Sequence, residues 1–267
     1  MIILDLLFKI LFISSGLFIV LLIGPLWMVF FSHIDLSTRW EIANRDSAHL
    51  APLASENPEA IVQVYGARAF HWRGFFAVHT WISAKPKNAP TWTVFQVVGW
   101  YRYREEPVLR VEEGVPDRYW FGNKPEIYND IRGERAEKII PLLKKYSKRY
   151  PYKKKYILWP GPNSNSYIAY LGRRVKGLEL NLPASAIGKD YLVNDRFFAR
   201  APSHTGYQIS LHGLLGITVA RVEGIQFNLL GLSFGAAWHR GLVIQWPGIG
   251  EIRMGKINLR AKKAEDA

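Results

Sequence analysis

Cysteine is absent from the 267-residue chain. That excludes disulfides, thiolate metal sites and cysteine nucleophiles. Acidic residues are few beside basic ones: 22 Asp and Glu against 35 Lys and Arg give a formal charge of +13. Such a balance suits a polyanionic neighbour, whether nucleic acid, phospholipid headgroups or lipopolysaccharide phosphates. Also missing are a Walker loop, a dinucleotide glycine fingerprint, a zincin helix and a serine-hydrolase elbow. The chain is therefore expected to need no cofactor and to hold no metal. Low-complexity sequence is confined to the charged tail Arg260–Ala267. Apolar residues, by contrast, make up 49% of the chain, enough to bury a real core and to exclude extended disorder.

Charge is absent from one long stretch, Ile10 to Phe31. About 20 residues of helix cross the ~30 Å hydrocarbon core of a bilayer, so this run predicts a single-pass transmembrane anchor over residues 10–31. Pro25 is tolerated in such a helix, and Trp27 suits the interfacial aromatic belt. A cleaved signal peptide would be shorter and would carry small residues at its cut site. Here bulky Trp27, Met28, Phe30 and Phe31 stand there instead. Lys9 and the amino terminus precede the helix, whereas His33, Asp35, Arg39 and Glu41 follow it in balance. The positive-inside rule then makes residues 1–9 a cytoplasmic N-terminus. The globular part falls on the outer, periplasmic side of a bacterial inner membrane.

Past the anchor, residues 32–59 read as a polar linker with a short helix after Asp46. Strand texture begins at Ala60, with alternation over Ile61–Tyr65 and Phe75–Ile82 and a β-branched, aromatic run over Trp92–Tyr103. Glu134–Arg149 has a helical stripe of Ile139, Ile140, Leu143 and Tyr146, which Pro141 is expected to kink or split. A basic loop and a short strand, Tyr156–Trp159, follow. A second helix runs from Ser164 to about Val175. Tyr207–Leu211, Gly216–Val222, Ile225–Phe234 and Gly241–Trp246 predict a β-meander. The fold class is thus α+β: an N-terminal transmembrane helix, then an antiparallel sheet packed on helices over residues 60–200, then a C-terminal β-meander extension over 201–259.

Three features bear on chemistry. His79 sits mid-strand in an apolar setting, where it is either a core-edge histidine bonded to backbone or a functional group. In Gly161-Pro162-Asn163-Ser164-Asn165-Ser166-Tyr167 a tight turn leads into a helix, with Asn163 as N-cap. Ser164 then falls on the first turn, where free N–H groups favour developing negative charge. A well-capped helix is the plainer explanation. The third feature is a basic region, Arg132 to Lys155, with Lys144, Lys145, Lys148, Arg149, Lys153, Lys154 and Lys155. It reads either as a solvated face or as a surface for anionic lipid headgroups, each basic residue contributing about 1 kcal/mol near such a surface. The interleaved Tyr146, Tyr150, Tyr152 and Tyr156 would suit nucleic-acid stacking. An external, tethered domain has little access to nucleic acid, so the membrane is the expected partner. Its oligomeric state is open.

GPNSNSY, the HTW around His79 with the following VVGW strand, and the later glycine-rich strands resemble a bacterial family, domain-of-unknown-function family 3750. The likeness covers roughly Ala60 to Leu192 and the C-terminal strands, and no activity comes with it. More distantly, the order resembles circularly permuted papain-like proteins of the NlpC type. These carry a histidine on an early strand and, later, an Asn-Cys-Asn motif opening a helix. That resemblance implies a papain-like domain over 60–200 in which Ser164 takes the cysteine's place, His79 is the base and the helix-start amides hold the oxyanion. Asn163 and Asn165 would flank the bound group. Gln96 would orient His79, although Tyr101 and Tyr103 are equally placed. A serine hydroxyl is a far weaker acid than a thiol and needs a base in contact. Two functions stay open: hydrolysis or transfer of an amide- or ester-containing envelope component, peptide or lipid, and a non-catalytic binding or scaffold module.

Overall fold

The long apolar run makes a helix without help from tertiary packing, and in the computed structural model it is one. The structure describes residues 2–239 and 241–254. Helix α1 spans Ile2–Phe31, and its stretch from Leu4 to Phe31 is long and apolar enough to cross a membrane. It begins earlier than the charge-free run, because Asp5 and Lys9 pair at 2.8 Å across one turn and so fit a helix instead of ending it. Most of α1 is exposed, but Leu21, Gly24 and Pro25 are buried.

Residues 32–59 are less a linker than a strap. No α-helix follows Asp46. Instead, the Asp117 carboxylate accepts hydrogen bonds from the Ser47 hydroxyl at 2.8 Å and from the backbone N–H of Leu50 and Ala51 at 2.5 and 3.0 Å. The strap ends in a 3₁₀ turn at Ala54–Glu56.

Five strands form the first sheet: β1 Ile61–Arg68, β2 Val78–Lys85, β3 Thr93–Val97, β4 Leu109–Glu113 and β5 Glu126–Arg132. Their order is β4-β3-β2-β1-β5, and every pairing is antiparallel. Helices α2 (Glu134–Lys148) and α3 (Ser164–Arg174) cover one face. There Val62, Val64, Val78, Ile82, Ala84, Phe95 and Val97 meet Ile139, Ile140, Leu143, Tyr167, Ile168 and Leu171. The opposite face packs Tyr65, Trp81, Val94, Trp120 and Phe121 beneath Ala43 and Leu50 of the strap. Pro141 lies inside a continuous α2. Both Pro141 and Glu137 are exposed, so the carbonyl that the proline cannot bond lies on the solvent side of the helix, where its loss costs less, and the helix is not split. The strand expected at Tyr156–Trp159 is irregular chain, since Pro160 and Pro162 supply no N–H for a ladder.

The second sheet is a seven-stranded meander: β6 Phe198–Arg200, β7 Gly206–Leu211, β8 Leu215–Ala220, β9 Gly224–Leu229, β10 Leu232–Ala237, β11 Leu242–Trp246 and β12 Gly250–Met254. The run expected as one strand, Ile225–Phe234, folds back at Leu230 and Gly231, both with positive φ, as a two-residue hairpin turn requires. The end of the β-rich extension after residue 254 and the charged tail Arg260–Ala267 lie outside the described residues. Where the chain turns between β11 and β12 it meets α1: a Cβ on Gly24 would fall 2.7 Å from Trp246 Cδ1.

This second sheet is turned inside out. Gln208, Ser210, Thr218, Gln226, Asn228, Ser233 and Gln245 point inward, each 7% exposed or less. Their alternates Tyr207, Ile209, Val219, Ile225, Phe227, Leu242 and Ile252 point outward and are 37–55% exposed. The polar side closes on a buried ion pair. Lys189 Nζ lies 2.9 Å from both carboxylate oxygens of Asp190 and 2.9 Å from Gln226 Oε1. Asp190 also accepts from Gln208, Asn228 and Ser233. An ordinary two-layer sheet buries its apolar side and wets the other.

Candidate functional site

The two motifs singled out by the sequence do meet, but one residue out of register with expectation. In α3 the Asn163 side chain accepts from the Ser166 N–H at 3.1 Å, and Asn163 N–H donates to Ser166 Oγ at 2.7 Å. This is a reciprocal cap of the kind polar residues form at helix starts. Asn163 Nδ2 also donates to the carbonyls of Leu158 and Ile187. Gly188 permits this approach: its φ is +96°, and a Cβ there would lie 2.2 Å from Asn163. Asn165 reaches across to β2. Its Oδ1 accepts from Thr80 Oγ1 at 2.9 Å, and its Nδ2 donates to Val78 O at 2.9 Å and Ile187 O at 2.8 Å. Thr80 and Asn165 are 85 positions apart in sequence. Asn165 thus fastens α3 to the sheet, and Asn163 ties the helix start to the loops at Leu158 and Ile187.

His79 lies on the other side of β2. Because strand side chains alternate, the residues flanking it, Val78 and Thr80, face α3, while His79 faces with Trp81. Its ring stacks on Trp120 with centroids 3.5 Å apart and lies 5.8 Å from Trp81. Phe75, expected on the same face, belongs instead to a 3₁₀ turn over His71–Phe75. Ser164 is buried at the start of α3, on the helix face that carries Tyr167, Ile168 and Leu171 towards the sheet's opposite side. No hydrogen bond joins the two, and His79 Nε2 has no partner.

Gln96 shares the His79 face of β3 and is 3% exposed. Its Oε1 is likewise unpartnered, and no bond of ordinary geometry links it to the imidazole. Of its two rivals, Tyr101 sits in the 3₁₀ turn after β3, and Tyr103 is 76% exposed. Burial, and then the positive charge of Arg118, press the His79 pKa down to about 3, with Gln96 pulling weakly the other way. A base that weak is poorly matched to taking a proton from a hydroxyl at neutral pH.

This gives a pH prediction. The folded state keeps His79 neutral where the unfolded chain protonates it, near pH 6.5. Its contribution to stability is complete above that pH and is lost as pH falls towards about 3. In His79→Phe, which keeps a ring against Trp120, the slope of stability with pH between the two values should flatten by about 1.4 kcal/mol per pH unit. Urea unfolding at several pH values checks this. Parallel curves for the two proteins would assign the proton elsewhere.

Lys144, Lys145 and Lys148 on α2, Arg149 at its C-cap, and Lys153, Lys154 and Lys155 in the following loop are all exposed. The tyrosines between them are not a stacking platform. Tyr150 is buried against Tyr167 and Tyr170, and Tyr146, Tyr152 and Tyr156 pack on the core.

Sequence reading missed a cavity of about 560 Å³, which opens between edge strand β5 and the inner side of β10–β12. Arg68, Lys124, Glu126, Tyr128, Asn181, Val243 and Glu251 are among its walls. The Arg68 guanidinium crosses the gap to the carbonyls of Gly248 and Ile249. Asn181 Oδ1 is buried without a partner. The walls come from several distant segments, between Gly66 and Arg253 in sequence, so no local motif announces them.

Residues 59–191 match a family model described as Protein of unknown function (DUF3750). The match takes in the first sheet, α2, α3 and the Lys189–Asp190 pair, and stops short of the meander. No curated protein and no solved structure matches the chain.

Proposed function

For a chain that belongs to this family of unknown function, we propose the role of a membrane-anchored envelope module that binds its ligand and does not cleave it. In this reading α1 spans a bacterial inner membrane and the two sheets stand on the periplasmic side. The exposed lysines of α2 and its following loop attract anionic headgroups. The ligand, an amide- or ester-containing peptide or lipid of the envelope, occupies the cavity between the sheets. The observation that carries the reading is the cavity itself: it combines charged walls of both signs, a tyrosine and an unpartnered amide oxygen. Converging polar groups on a concave surface fix a ligand's orientation, and these walls are more polar than apolar, which suits a polar ligand group. The separation of His79 from Ser164 weighs against the rival hydrolase.

Native mass spectrometry of the detergent-extracted chain tests the proposal. An envelope component should copurify with the wild type and be lost from Val243→Trp, which projects a bulky ring from the cavity wall. Two results together would replace binding by hydrolysis: no copurifying molecule in either protein, and labelling by a serine-reactive probe that Ser164→Ala abolishes.

A further inference from the structure

The outward side of the second sheet is an apolar surface with no cover among the described residues. Strand register makes it continuous. One row pairs Phe198 with Ile209, Ile209 with Ile217, Ile217 with Phe227 and Phe227 with Phe234. A neighbouring row runs Tyr207, Val219, Ile225, Ala236, Ile244, Ile252 across six strands. Apart from Arg200 at the β6 edge, the residues of these rows are uncharged. A soluble monomer rarely leaves so contiguous an apolar patch in water.

The position of α1 says what covers it. Trp246 is on the outward side of β11, in alternation with Leu242 and Ile244, and its indole meets Gly24 together with the Pro247 carbonyl. The turn after it closes on Pro25, where a Cβ on Gly248 would fall 2.5 Å from Pro25 N. These contacts lie seven residues before the end of α1 at Phe31, or about 10 Å down the helix. The apolar stretch Leu4–Phe31 has 28 residues, about 42 Å of helix against a ~30 Å hydrocarbon core. Even if all the surplus length emerged on the domain's side, the β11–β12 turn would lie level with the headgroup region. The apolar side of the sheet starts at that turn.

We propose that the outward face of the second sheet lies on the bilayer, its apolar rows seated at the boundary between headgroups and acyl chains. Amphipathic elements at interfaces bind this way, through buried apolar area. The proposal rests on α1 being a membrane span. It explains why the sheet is inverted: one side faces lipid, so polar groups gather on the other and satisfy one another around Lys189 and Asp190.

A chain without cysteine permits single-cysteine labelling at chosen points. The full chain, reconstituted in phosphatidylethanolamine–phosphatidylglycerol vesicles, would carry an environment-sensitive fluorophore at Leu17→Cys, Val219→Cys, Ile225→Cys or Lys87→Cys, the last in the exposed turn between β2 and β3. Lipids with chain-borne nitroxide quenchers should remove most of the signal at 17, 219 and 225 but not at 87. Quenching at 17 with 219 and 225 open to aqueous iodide would overturn the lipid-facing sheet and leave the anchor standing. No lipid quenching at 17 would remove the anchor, and the inference with it. Protection of 219 and 225 from both quenchers, with crosslinking between chains, would give the face to a second copy and overturn the proposal as well.

Discussion

Asp190→Ala is expected to destabilise the protein by about 3–5 kcal/mol, the range for removing one partner of a buried ion pair. The carboxylate is 4% exposed. Burial alone would raise its pKa, but Lys189, with Ser233 and Arg173 in support, outweighs this and holds it below the ordinary carboxylate value. Alanine would leave the Lys189 ammonium buried beside Gln226 alone, and would orphan the donors of Gln208, Asn228 and Ser233. Denaturant unfolding of the detergent-solubilised chain measures the loss, and limited proteolysis should show the meander coming loose first. Replacing the whole pair, as in Lys189→Met with Asp190→Leu, should cost less than Asp190→Ala because the Lys189 ammonium is removed together with its carboxylate. If the double variant is worse than the single, the surrounding amides and hydroxyls matter more than the charges. The sign with pH follows. A depressed carboxylate contributes its full stability above the unfolded value near 3.9, and that stability is lost as pH falls through the lower folded value.

The second large effect is expected at Asn165. Alanine there removes three hydrogen bonds and leaves the carbonyl of Val78 and the hydroxyl of Thr80 without these partners in a buried place, while the Ile187 carbonyl keeps only its bond from Asn163. At roughly 1–3 kcal/mol for each orphaned group, reduced by local relaxation, a loss of about 3–5 kcal/mol is expected. Thr80→Val, which removes one of the three, should cost about 1–2 kcal/mol. Urea midpoints monitored by tryptophan fluorescence provide the comparison. If Asn165→Ala is no worse than Thr80→Val, the backbone carbonyls have other partners, and the Asn-Ser-Asn run owes its place to something other than fastening α3.

The Asn165–Thr80 bond also shows where sequence stops being informative. That β2 and the start of α3 come together was expected only from the likeness of motif order to that of permuted papain-like proteins; the glycine-proline turn and the asparagine cap mark the helix start but do not say which strand it meets. Which β2 residue faces the helix was not legible. Strand period fixes only that His79 and Thr80 point apart, and the choice between them depended on which face the helices would cover. Edge strands β4 and β5 escaped notice for a related reason. Leu109–Glu113 and Glu126–Arg132 keep one side in water, so polar residues dilute their alternation. In the meander the period of two was plain and most strands could be placed. Their burial could not be: glutamine and asparagine on alternate positions read as a wet face until Lys189 and Asp190, from a separate loop, are found packed against them. The cavity was out of reach for the same reason, since its walls converge only in the folded chain.

The inverted sheet also reverses the usual expectations about which substitutions a strand will accept. In most antiparallel sheets a serine or glutamine can drift to many other residues, whereas an isoleucine on the next position is held by its neighbours. Along β7 to β10 the constraint should swap sides. A leucine in place of Gln226 would strand the lysine that leans on it, while exchanges among Ile, Val, Leu and Phe on the outward rows would pass unnoticed as long as they remain oily. A mutational scan of these strands should therefore look like that of an ordinary sheet displaced by one residue, with the intolerant positions being the hydrophilic ones.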